Sequence, residues 1–354
     1  MESTSRWWSR TGDKASGFAY WDSRGRPITS PAALTRIASL GIPPAWRDVR
    51  ISPSAAAKLQ AVGVDQKGRK QYRYHPDWTR EQAAVKFHRL ADFARRLPQF
   101  RAVTSRHLAE PELCRDKVLA LVCRLLSEGR FRVGGERYAR ENHSYGIATL
   151  RRHHLSISAG CLVFAYRGKH GVKQSQVVCD EALAELMREL AALPGARLFK
   201  YPAGDGSHVP LSSRDVNAYL KEIMGDAFSA KDFRTWSGTL LAAQLLASYG
   251  PASGERELKQ NLVRCVKEVA KALGNTPAIA KSSYIAPAVF ESYRRGITLE
   301  KLVPTGRRRL TLLQQGYLLE EVALMRMLDM EPEREGAALR VSMLPEPAPE
   351  RVRA

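Results

Sequence analysis

Residues 274–284 read Gly-Asn-Thr-Pro-Ala-Ile-Ala-Lys-Ser-Ser-Tyr, and this stretch decides how the second half of the chain is interpreted. An apolar stripe at helical spacing within residues 258–273 precedes it, so we expect a helix to end at Gly274. The Thr276-Pro277 pair is typical of an N-cap and a first helical residue. The sequence therefore predicts a short helix that carries Tyr284 about two turns in, before a following proline ends or kinks it.

The amino-terminal part of the chain has a different pattern of apolar and turn-forming residues. Residues 1–80 hold short apolar stretches separated by turn signals, such as those at 22–27 and 65–68, which predicts a small strand-rich domain. At residues 79–82 the pattern Thr-Arg-Glu-Gln resembles a capping box, so a helix and a domain boundary are expected near residue 80.

Helical patterns dominate residues 81–330, which we expect to form a second, mostly helical domain. One helix should end at Gly129, and Ser212 and Ser229 each look like N-caps. The Pro-, Glu- and Arg-rich residues 331–354 predict a flexible tail. The overall expectation is an α+β protein.

A strand-rich insert interrupts this helical region. Between His154 and Val178, β-branched and aromatic residues alternate around two turn signals at 158–160 and 168–171. This pattern predicts a three-stranded meander whose second tip carries Lys169.

Charge points to the partner. The 354-residue chain has 56 Lys and Arg against 36 Asp and Glu, which gives a formal charge of +20. Such an excess favours a polyanion over a small neutral substrate, and nucleic acid is the leading candidate. A basic protein from a GC-rich genome would show the same composition, so motifs must decide.

Several classes of site and location are not expected. The five cysteines are widely spaced and odd in number, which predicts reduced core residues and no zinc site. The adjacent His153 and His154 should point to opposite faces of a strand, so we expect no metal there. No ATP-binding Gly-x-x-x-x-Gly-Lys-Ser/Thr loop occurs, and we expect no cofactor. No secretion signal or apolar run of membrane-spanning length is seen, which predicts a cytoplasmic protein with no membrane partner.

Five polar residues are of the types that phosphodiester cleavage by a tyrosine needs, namely Arg132, Lys169, Arg234, Asn275 and Tyr284. Guanidinium groups can clamp the phosphoryl oxygens and favour the phenolate, while a lysine can protonate the leaving 5′ oxygen. An asparagine can donate a hydrogen bond to the transition state but no proton. Taken singly, each is an ordinary surface, packing or loop residue, so the interpretation depends on their joint order.

Four segments, which contain all of these residues except Asn275, resemble the active-site segments of type IB DNA topoisomerases, most closely the poxvirus-like bacterial group. They are Phe-Arg-Val-Gly at 131–134, Gly-Lys at 168–169, Lys-Asp-Phe-Arg-Thr-Trp at 231–236 and Ser-Ser-Tyr at 282–284. The resemblance spans roughly residues 40–290. It implies a monomeric, two-lobed clamp, in which residues 1–80 are the DNA-binding domain and residues 81–330 the catalytic domain. Such an enzyme relaxes supercoiled duplex DNA through a 3′-phosphotyrosyl link, strand rotation and religation, without ATP or metal.

The resemblance also implies a role for each residue. Tyr284 would be the nucleophile, with Arg132, Lys169 and Arg234 as charged catalytic residues and Asn275 as the fifth member. Many family members have a histidine where this chain has Asn275. A role that needs a titrating imidazole is therefore closed to this chain, whereas hydrogen bonding to a phosphate oxygen is open.

DNA contacts outside the catalytic set follow from the same likeness. Residues 65–75 interleave cations, aromatics and an amide, and Gln71 and Tyr72 match the family's amino-terminal DNA-contacting segment. The alternative is a basic turn with an edge strand. Arg137 and Tyr138 follow the first catalytic arginine in a groove-contacting loop and helix, and Lys231 would contact DNA near the cleavage site.

Two other functions stay open at this point. A tyrosine recombinase uses a related fold and a similar residue set, but it generally has a histidine where Lys231 stands and a helical amino-terminal bundle. A non-enzymatic basic DNA-binding protein would have no use for Tyr284.

Overall fold

An antiparallel sheet of five strands, in the order β2-β1-β3-β4-β5, forms the amino-terminal unit, residues 1–86. The computed structural model describes residues 6–329, except the side chains of residues 80–85 and 88. Alternation along β3 buries Val49 and Ile51, which pack with Ile37 of the first helix and Ala61 of β4. The predicted strand-rich character is confirmed in outline. The elements are β1 (Trp8–Asp13), β2 (Gly17–Trp21), α1 (Pro31–Ser39), β3 (Arg47–Ile51), β4 (Leu59–Val64) and β5 (Lys70–Tyr74).

Two turns of this unit share one Asp-x-x-Gly-Arg design. Asp22 pairs with Arg26 at 2.8 Å, and Asp65 pairs with Arg69 at 2.7 Å. In each turn the aspartate also accepts backbone hydrogen bonds from residues two and four positions later. In the second turn these hydrogen bonds, led by those from Arg69, lower the pKa of Asp65 to about 2. Both turn signals in the sequence are thereby confirmed.

The next helix, α2 (Pro76–Arg95), begins before the position that the sequence predicts. The hydroxyl of Thr79 donates a hydrogen bond of 3.1 Å to the carbonyl of His75, and so does its backbone N–H at 3.0 Å. Thr79 therefore lies within the first turn and does not cap it, and the expectation of a start near residue 80 is wrong. Pro76 suits the first turn because proline has no N–H to leave unpaired.

Helices make up most of the described part of the second unit, residues 87–329. Helix α4 is buried along one continuous run, because residues 118–123 are all fully inaccessible, and it packs against α3, α7 and α8. The helices are α3 (Leu97–Leu108), α4 (Arg115–Gly129), α5 (Glu136–Asn142), α6 (Glu181–Ala192), α7 (Ser213–Met224), α8 (Ala230–Tyr249), α9 (Glu255–Leu273), α10 (Pro277–Ser283), α11 (Pro287–Arg294), α12 (Gly306–Gln314) and α13 (Leu319–Asp329).

Helix ends in this unit follow the local signals. The hydroxyl of Ser212 accepts hydrogen bonds from the first turn of α7, and the backbone N–H of Ser229 donates to Asp232 Oδ2 at 2.8 Å. Helix α4 ends at Gly129, and α9 ends at Gly274, whose φ of 59° is left-handed. These four predictions are confirmed. Residues 331–354, predicted as a tail, lie outside the described residues.

A three-stranded antiparallel sheet, in the order β6-β7-β8, stands within the helical unit. A short 3₁₀ turn at Lys169–Gly171 joins its second and third strands. Its strands are β6 (Leu155–Ser158), β7 (Cys161–Arg167) and β8 (Lys173–Cys179); a separate pair is formed by β9 (Lys200–Pro202) and β10 (His208–Pro210).

Two cysteines of this sheet form a disulfide, so the prediction that all cysteines are reduced is wrong for Cys161 and Cys179. The ladder between β7 and β8 places them directly opposite each other, with Cα atoms 4.0 Å apart. Strand register decides this pairing, and their spacing along the chain gives no sign of it. Cys114, Cys123 and Cys265 are free thiols.

His153 and His154 do not lie on a strand, which corrects the expectation that they face opposite ways. They belong to a 3₁₀ turn, Arg152–His154, and their ring centroids are 4.2 Å apart. Nδ1 of His154 accepts a hydrogen bond of 3.1 Å from the backbone N–H of Arg151. Burial, together with the charges of His153 and Arg151, lowers the pKa of His154 to about 4.

Within residues 6–329, no helix has the length and the apolar composition that crossing a membrane requires. In the same described part of the chain, no three His, Cys, Asp or Glu side chains are grouped so that they could hold a metal ion.

Candidate active site

Arg132 leaves the protein core directly after the end of α4. A Cβ on Gly129 would lie 2.2 Å from the ring of Phe131, so glycine allows that ring to fold back under the helix end. Phe131 is fully buried and packs edge-on against Phe164 with 5.0 Å between ring centroids. The next residue, Arg132, is therefore fixed at the surface of the core and is half-buried.

Arg234 lies one turn into α8 and is only 3% exposed. One guanidinium nitrogen donates to the carbonyl oxygen of Arg130, and the other donates to the carbonyl of Leu273 at 2.8 Å. These two carbonyls belong to the carboxyl ends of α4 and α9. A cation is favoured there because the unpaired carbonyls and the helix dipole carry partial negative charge.

Arg132 reaches the same end of α9. Its Nη2 donates to the carbonyl of Gly274 at 3.1 Å and to Oδ1 of Asn275. The other amide atom, Nδ2 of Asn275, is buried and has no hydrogen-bond partner in the described part of the structure. The structure thus brings Arg132, Arg234 and Asn275 together around one helix end.

The guanidinium groups of Arg132 and Arg234 repel each other electrostatically. Burial and the charge of Arg132 lower the pKa of Arg234 to about 10, while Tyr284 acts in the opposite direction. With this pKa, Arg234 stays charged at neutral pH. Neither arginine forms an ion pair with a carboxylate within residues 6–329. Two adjacent cations without a carboxylate favour a bound phosphate, which accepts parallel hydrogen bonds from guanidinium groups.

Tyr284 follows the last residue of α10, which corrects the prediction that it lies within that helix. Thr276 caps α10 and Pro277 opens it as predicted, but the helix ends at Ser283 and Pro287 begins α11 instead of ending α10. The residue before a proline-led helix avoids the helical conformation, so the chain must straighten between the two helices. The side chain of Tyr284 is half-buried, and Cζ of Arg234 lies 5.2 Å from its ring centroid.

Lys169 stands apart from these four residues. It is exposed at the 3₁₀ turn between β7 and β8, and within the described chain it forms none of the hydrogen bonds that join the others. The turn is tied down beside it, because Ser144 donates a hydrogen bond of 2.6 Å to the carbonyl of Gly168. The hairpin therefore presents the lysine ammonium group to solvent.

Three candidate DNA contacts of this unit are surface residues. Arg137 and Tyr138 lie on α5, where Arg137 pairs with Glu141 at 3.0 Å and Tyr138 is 54% exposed. Lys231 is exposed on the first turn of α8, three residues before Arg234. All three side chains are accessible to a ligand, although the ion pair with Glu141 partly neutralises the charge of Arg137.

The candidates of the first unit lie on β5. Tyr72 is 48% exposed and stacks on Tyr74 with 6.2 Å between ring centroids. Gln71 is half-buried, and its Nε2 donates to Oδ2 of Asp65 at 2.9 Å. One of the two amide hydrogens of Gln71 is thus engaged within the protein.

Three further residues hold this arrangement together, and none of them was predicted from the sequence. Arg130 supplies a backbone carbonyl to Arg234, and Gly238 and Thr239 on α8 contact the backbone of Tyr284. The signal for Gly238 was present, because a glycine inside a helical pattern often marks a close approach of another chain segment.

Comparisons with known proteins agree with this geometry. Residues 69–301 match the family described as eukaryotic DNA topoisomerase I, catalytic core, and residues 17–65 match the bacterial DNA topoisomerase IB, N-terminal domain. DNA topoisomerase 1B of Acanthamoeba polyphaga mimivirus is 33% identical over 80% of this chain and 86% of its own length. DNA topoisomerase 1B of vaccinia virus, strain Copenhagen, is 25% identical over 67% of this chain and 73% of its own. The chain belongs to the type IB DNA topoisomerases, in the poxvirus-like group, and is an isomerase that acts on DNA topology.

Proposed function

We propose that the enzyme relaxes supercoiled duplex DNA by cutting one strand transiently, through a covalent bond between Tyr284 and a 3′ phosphate. The observation that carries this proposal is the position of Arg234, whose Cζ lies 5.2 Å from the centroid of the Tyr284 ring. A guanidinium group there can bind the phosphate that the phenol attacks. The matched catalytic core, residues 69–301, includes all five candidate catalytic residues.

In the proposed reaction, the phenolic oxygen of Tyr284 bonds to phosphorus as the bond from phosphorus to the 5′ oxygen breaks. The phenolic proton passes to solvent, and the 5′ oxygen takes up a proton and leaves as a hydroxyl group. Arg132 and Arg234 stabilise the charge on the non-bridging oxygens in the transition state. In religation, the 5′ hydroxyl attacks the phosphotyrosine and releases the phenol.

Lys169 is the proposed proton donor to the 5′ oxygen. A lysine on an exposed hairpin turn can approach a bound strand from outside the buried arginine pair, and its ammonium group carries the proton that the leaving oxygen needs. The tied base of the turn, where Ser144 holds Gly168, limits the directions in which it can reach.

No external energy source enters this scheme. The energy of the broken phosphodiester is kept in the phosphotyrosine bond, so the strand is resealed without ATP. Charge stabilisation comes from two guanidinium groups, so the scheme assigns no step to a metal ion. Between cleavage and religation, the free 5′ end rotates about the intact strand.

The proposal extends to binding. A monomer would enclose the duplex as a clamp, with the amino-terminal unit contacting it through Gln71 and Tyr72. The catalytic unit would add Arg137, Tyr138 and Lys231, of which the cations bind phosphates and the tyrosine packs on sugar or base edges. Such an enzyme would act on chromosomal DNA in a bacterial cytoplasm.

Relaxation of a negatively supercoiled plasmid, in EDTA and without ATP, tests the function. Wild-type protein should relax the plasmid, and Tyr284→Phe should not, although it should bind the same DNA with unchanged affinity. The matched control is Tyr249→Phe, which removes a phenol hydroxyl that hydrogen-bonds Glu268 at 3.0 Å in another part of the same unit. Relaxation by Tyr284→Phe would contradict the nucleophile assignment.

Trapping the covalent intermediate gives a second, direct readout. When the downstream fragment that carries the 5′ hydroxyl is short enough to dissociate after cleavage, the protein should stay attached to the 3′ phosphate of the other fragment, and the labelled peptide should contain Tyr284. A pair of recombination-type synapsed duplexes distinguishes the tyrosine recombinase alternative, because exchange between them is expected only of a recombinase.

A further inference from the structure

The backbone of Tyr284 is held directly by α8, the helix that carries Arg234. Thr239 is fully buried, and its Oγ1 lies 3.1 Å from the carbonyl oxygen of Tyr284 and 3.2 Å from the backbone nitrogen of Ala286. It also lies 2.8 Å from the carbonyl oxygen of Thr235, one turn earlier on α8. One hydroxyl group thus contacts the backbone just before and just after residue 285, which follows Tyr284.

The hydrogen-bonding capacity of a hydroxyl group fits these contacts. A threonine has one O–H donor and two acceptor lone pairs. It accepts from the N–H of Ala286, and its own hydrogen is within reach of the carbonyls of Thr235 and Tyr284. In a fully buried position, removal of the hydroxyl would leave the Ala286 N–H without this partner, which is costly.

Gly238, next to Thr239, makes the approach possible. A Cβ at position 238 would lie 2.7 Å from the carbonyl oxygen of Tyr284 and 3.2 Å from its Cβ, both closer than normal packing allows. Its conformation is the ordinary helical one, so glycine is needed here for space and not for backbone freedom. Any larger residue would push Tyr284 away from α8.

The same face of α8 carries the partner of the phenol. Arg234 and Gly238 are four residues apart and so lie one above the other on the helix surface. One rigid helix therefore fixes both the backbone of Tyr284 and the guanidinium group that lies 5.2 Å from its ring. The separation between the two depends on few rotatable bonds.

We propose that Thr239 is a positioning residue for the nucleophile, and that Gly238 provides the space for it to act. This inference rests on the proposed function, in which Tyr284 attacks phosphorus. Attack requires close alignment of the reacting atoms, and a displacement of about 1 Å can cost about 10²-fold in rate. Loss of the Thr239 hydroxyl should therefore slow cleavage without weakening DNA binding.

The test compares Thr239→Val, which keeps the shape and removes the hydroxyl, with Thr239→Ser, which keeps the hydroxyl. Single-turnover cleavage by Thr239→Val should be about 10- to 100-fold slower, while Thr239→Ser should stay within about threefold of wild type. The matched control is Thr104→Val, because Thr104 is also fully buried in a helix and donates to the carbonyl four residues earlier, at 2.8 Å. It contacts no part of the candidate site and should cleave at the wild-type rate.

Two further readouts separate positioning from general loss of structure. The fraction of enzyme that cleaves should stay near that of wild type, and the rates of cleavage and religation should fall by the same factor, since both pass through one transition state. A merely structural role would lower the active fraction and the Tm but not the single-turnover rate. DNA affinity should change by less than about twofold in every variant, since no phosphate contact is altered.

Gly238→Ala is the second variant, in case Thr239→Val does not fold. It keeps the hydroxyl but displaces Tyr284, so its cleavage rate should also fall at least tenfold. Wild-type rates in folded Thr239→Val or folded Gly238→Ala would overturn the inference. Cleavage by Tyr284→Phe would instead overturn the proposed function, so the two failures are distinguishable.

Discussion

Oδ1 of Asn275 accepts a hydrogen bond from Nη2 of Arg132, while the amide nitrogen of Asn275 is buried without a partner in the described structure. The amide of Asn275 must turn its oxygen toward Arg132, because its NH₂ group would be repelled by the N–H groups of the guanidinium. In this arrangement the side chain of Asn275 orients Arg132. Donation to a phosphate, the role expected from sequence, would have to come from the amide nitrogen, which is buried in the described structure.

A double-mutant cycle distinguishes the two roles. Asn275→Ala should slow cleavage about tenfold, which corresponds to the roughly 1.5 kcal/mol of a hydrogen bond to a charged group. If Asn275 acts through Arg132, the same change in an Arg132→Ala background should have almost no further effect. Single-turnover cleavage rates of the four proteins give the answer. Two losses that multiply would show that Asn275 contacts the phosphate independently.

Arg234→Lys should reduce cleavage by about 10²-fold or more while DNA affinity is kept. A lysine ammonium group cannot donate to the carbonyls of Arg130 and Leu273 and also bind a phosphate in bidentate fashion. Single-turnover cleavage measures the loss. The control is Arg264→Lys, because Arg264 also lies over a tyrosine ring, with Cζ 4.4 Å from the centroid of Tyr249, but on an exposed helix face. Equal losses in both variants would contradict a special role for Arg234.

The unfolding free energy should fall as the pH drops from about 6.5 to about 4, in part because of His154. Its pKa is about 4 in the folded protein and is higher when the chain unfolds, so the unfolded state binds more protons in this window. Its stabilising contribution is complete above the unfolded pKa and decreases below it. In His154→Asn, which keeps an acceptor for the N–H of Arg151, that part of the pH dependence should disappear. Urea unfolding at pH 7.5, 5.5 and 4.5 measures it, and parallel curves for the two proteins would refute the assignment.

Reduction of the Cys161–Cys179 bond should lower stability but leave cleavage unchanged. The bond closes a loop of 18 residues, for which the chain-entropy model gives about 3 kcal/mol as an upper value. It lies at the base of the β7–β8 hairpin, at the opposite end of the ladder from the turn that carries Lys169. A reductant should therefore lower the Tm of the wild type only. The double variant Cys161→Ala/Cys179→Ala should show the lower Tm with or without reductant, and a slower cleavage rate after reduction would mean that the bond positions Lys169.

Local signals located many elements, because helix caps depend on neighbours in sequence. Ser212 and Thr276 each accept a hydrogen bond from a backbone N–H of the helix that follows, and the backbone N–H of Ser229 donates to Asp232 in the first turn of α8, so all three positions could be predicted. The prediction that Thr79 caps a helix also failed for a local reason. Its hydroxyl donates to the carbonyl of His75, four residues earlier, whereas a capping hydroxyl accepts from an N–H two or three residues later.

The geometry of the candidate site could not be predicted, because its residues are far apart along the chain and meet only in the folded protein. The side chains of Arg132 and Asn275 are 143 positions apart, and the hydroxyl of Thr239 meets the carbonyl of Tyr284 from 45 positions away. The five candidate catalytic residues were identified by likeness to a family, whereas Thr239 and Gly238 carried no comparable motif. The pairing of Cys161 with Cys179 likewise depends on strand register.

The carbonyl groups at the end of α9 have a consequence for turnover. They hold Arg132 and Arg234 side by side against their mutual repulsion in the protein alone, so the work of assembling two like charges is done when the chain folds. In the proposed mechanism, an arriving DNA strand meets a preorganised cationic cradle, and its binding energy is not consumed in bringing the two arginines together. The same cradle is ready again each time a resealed strand departs.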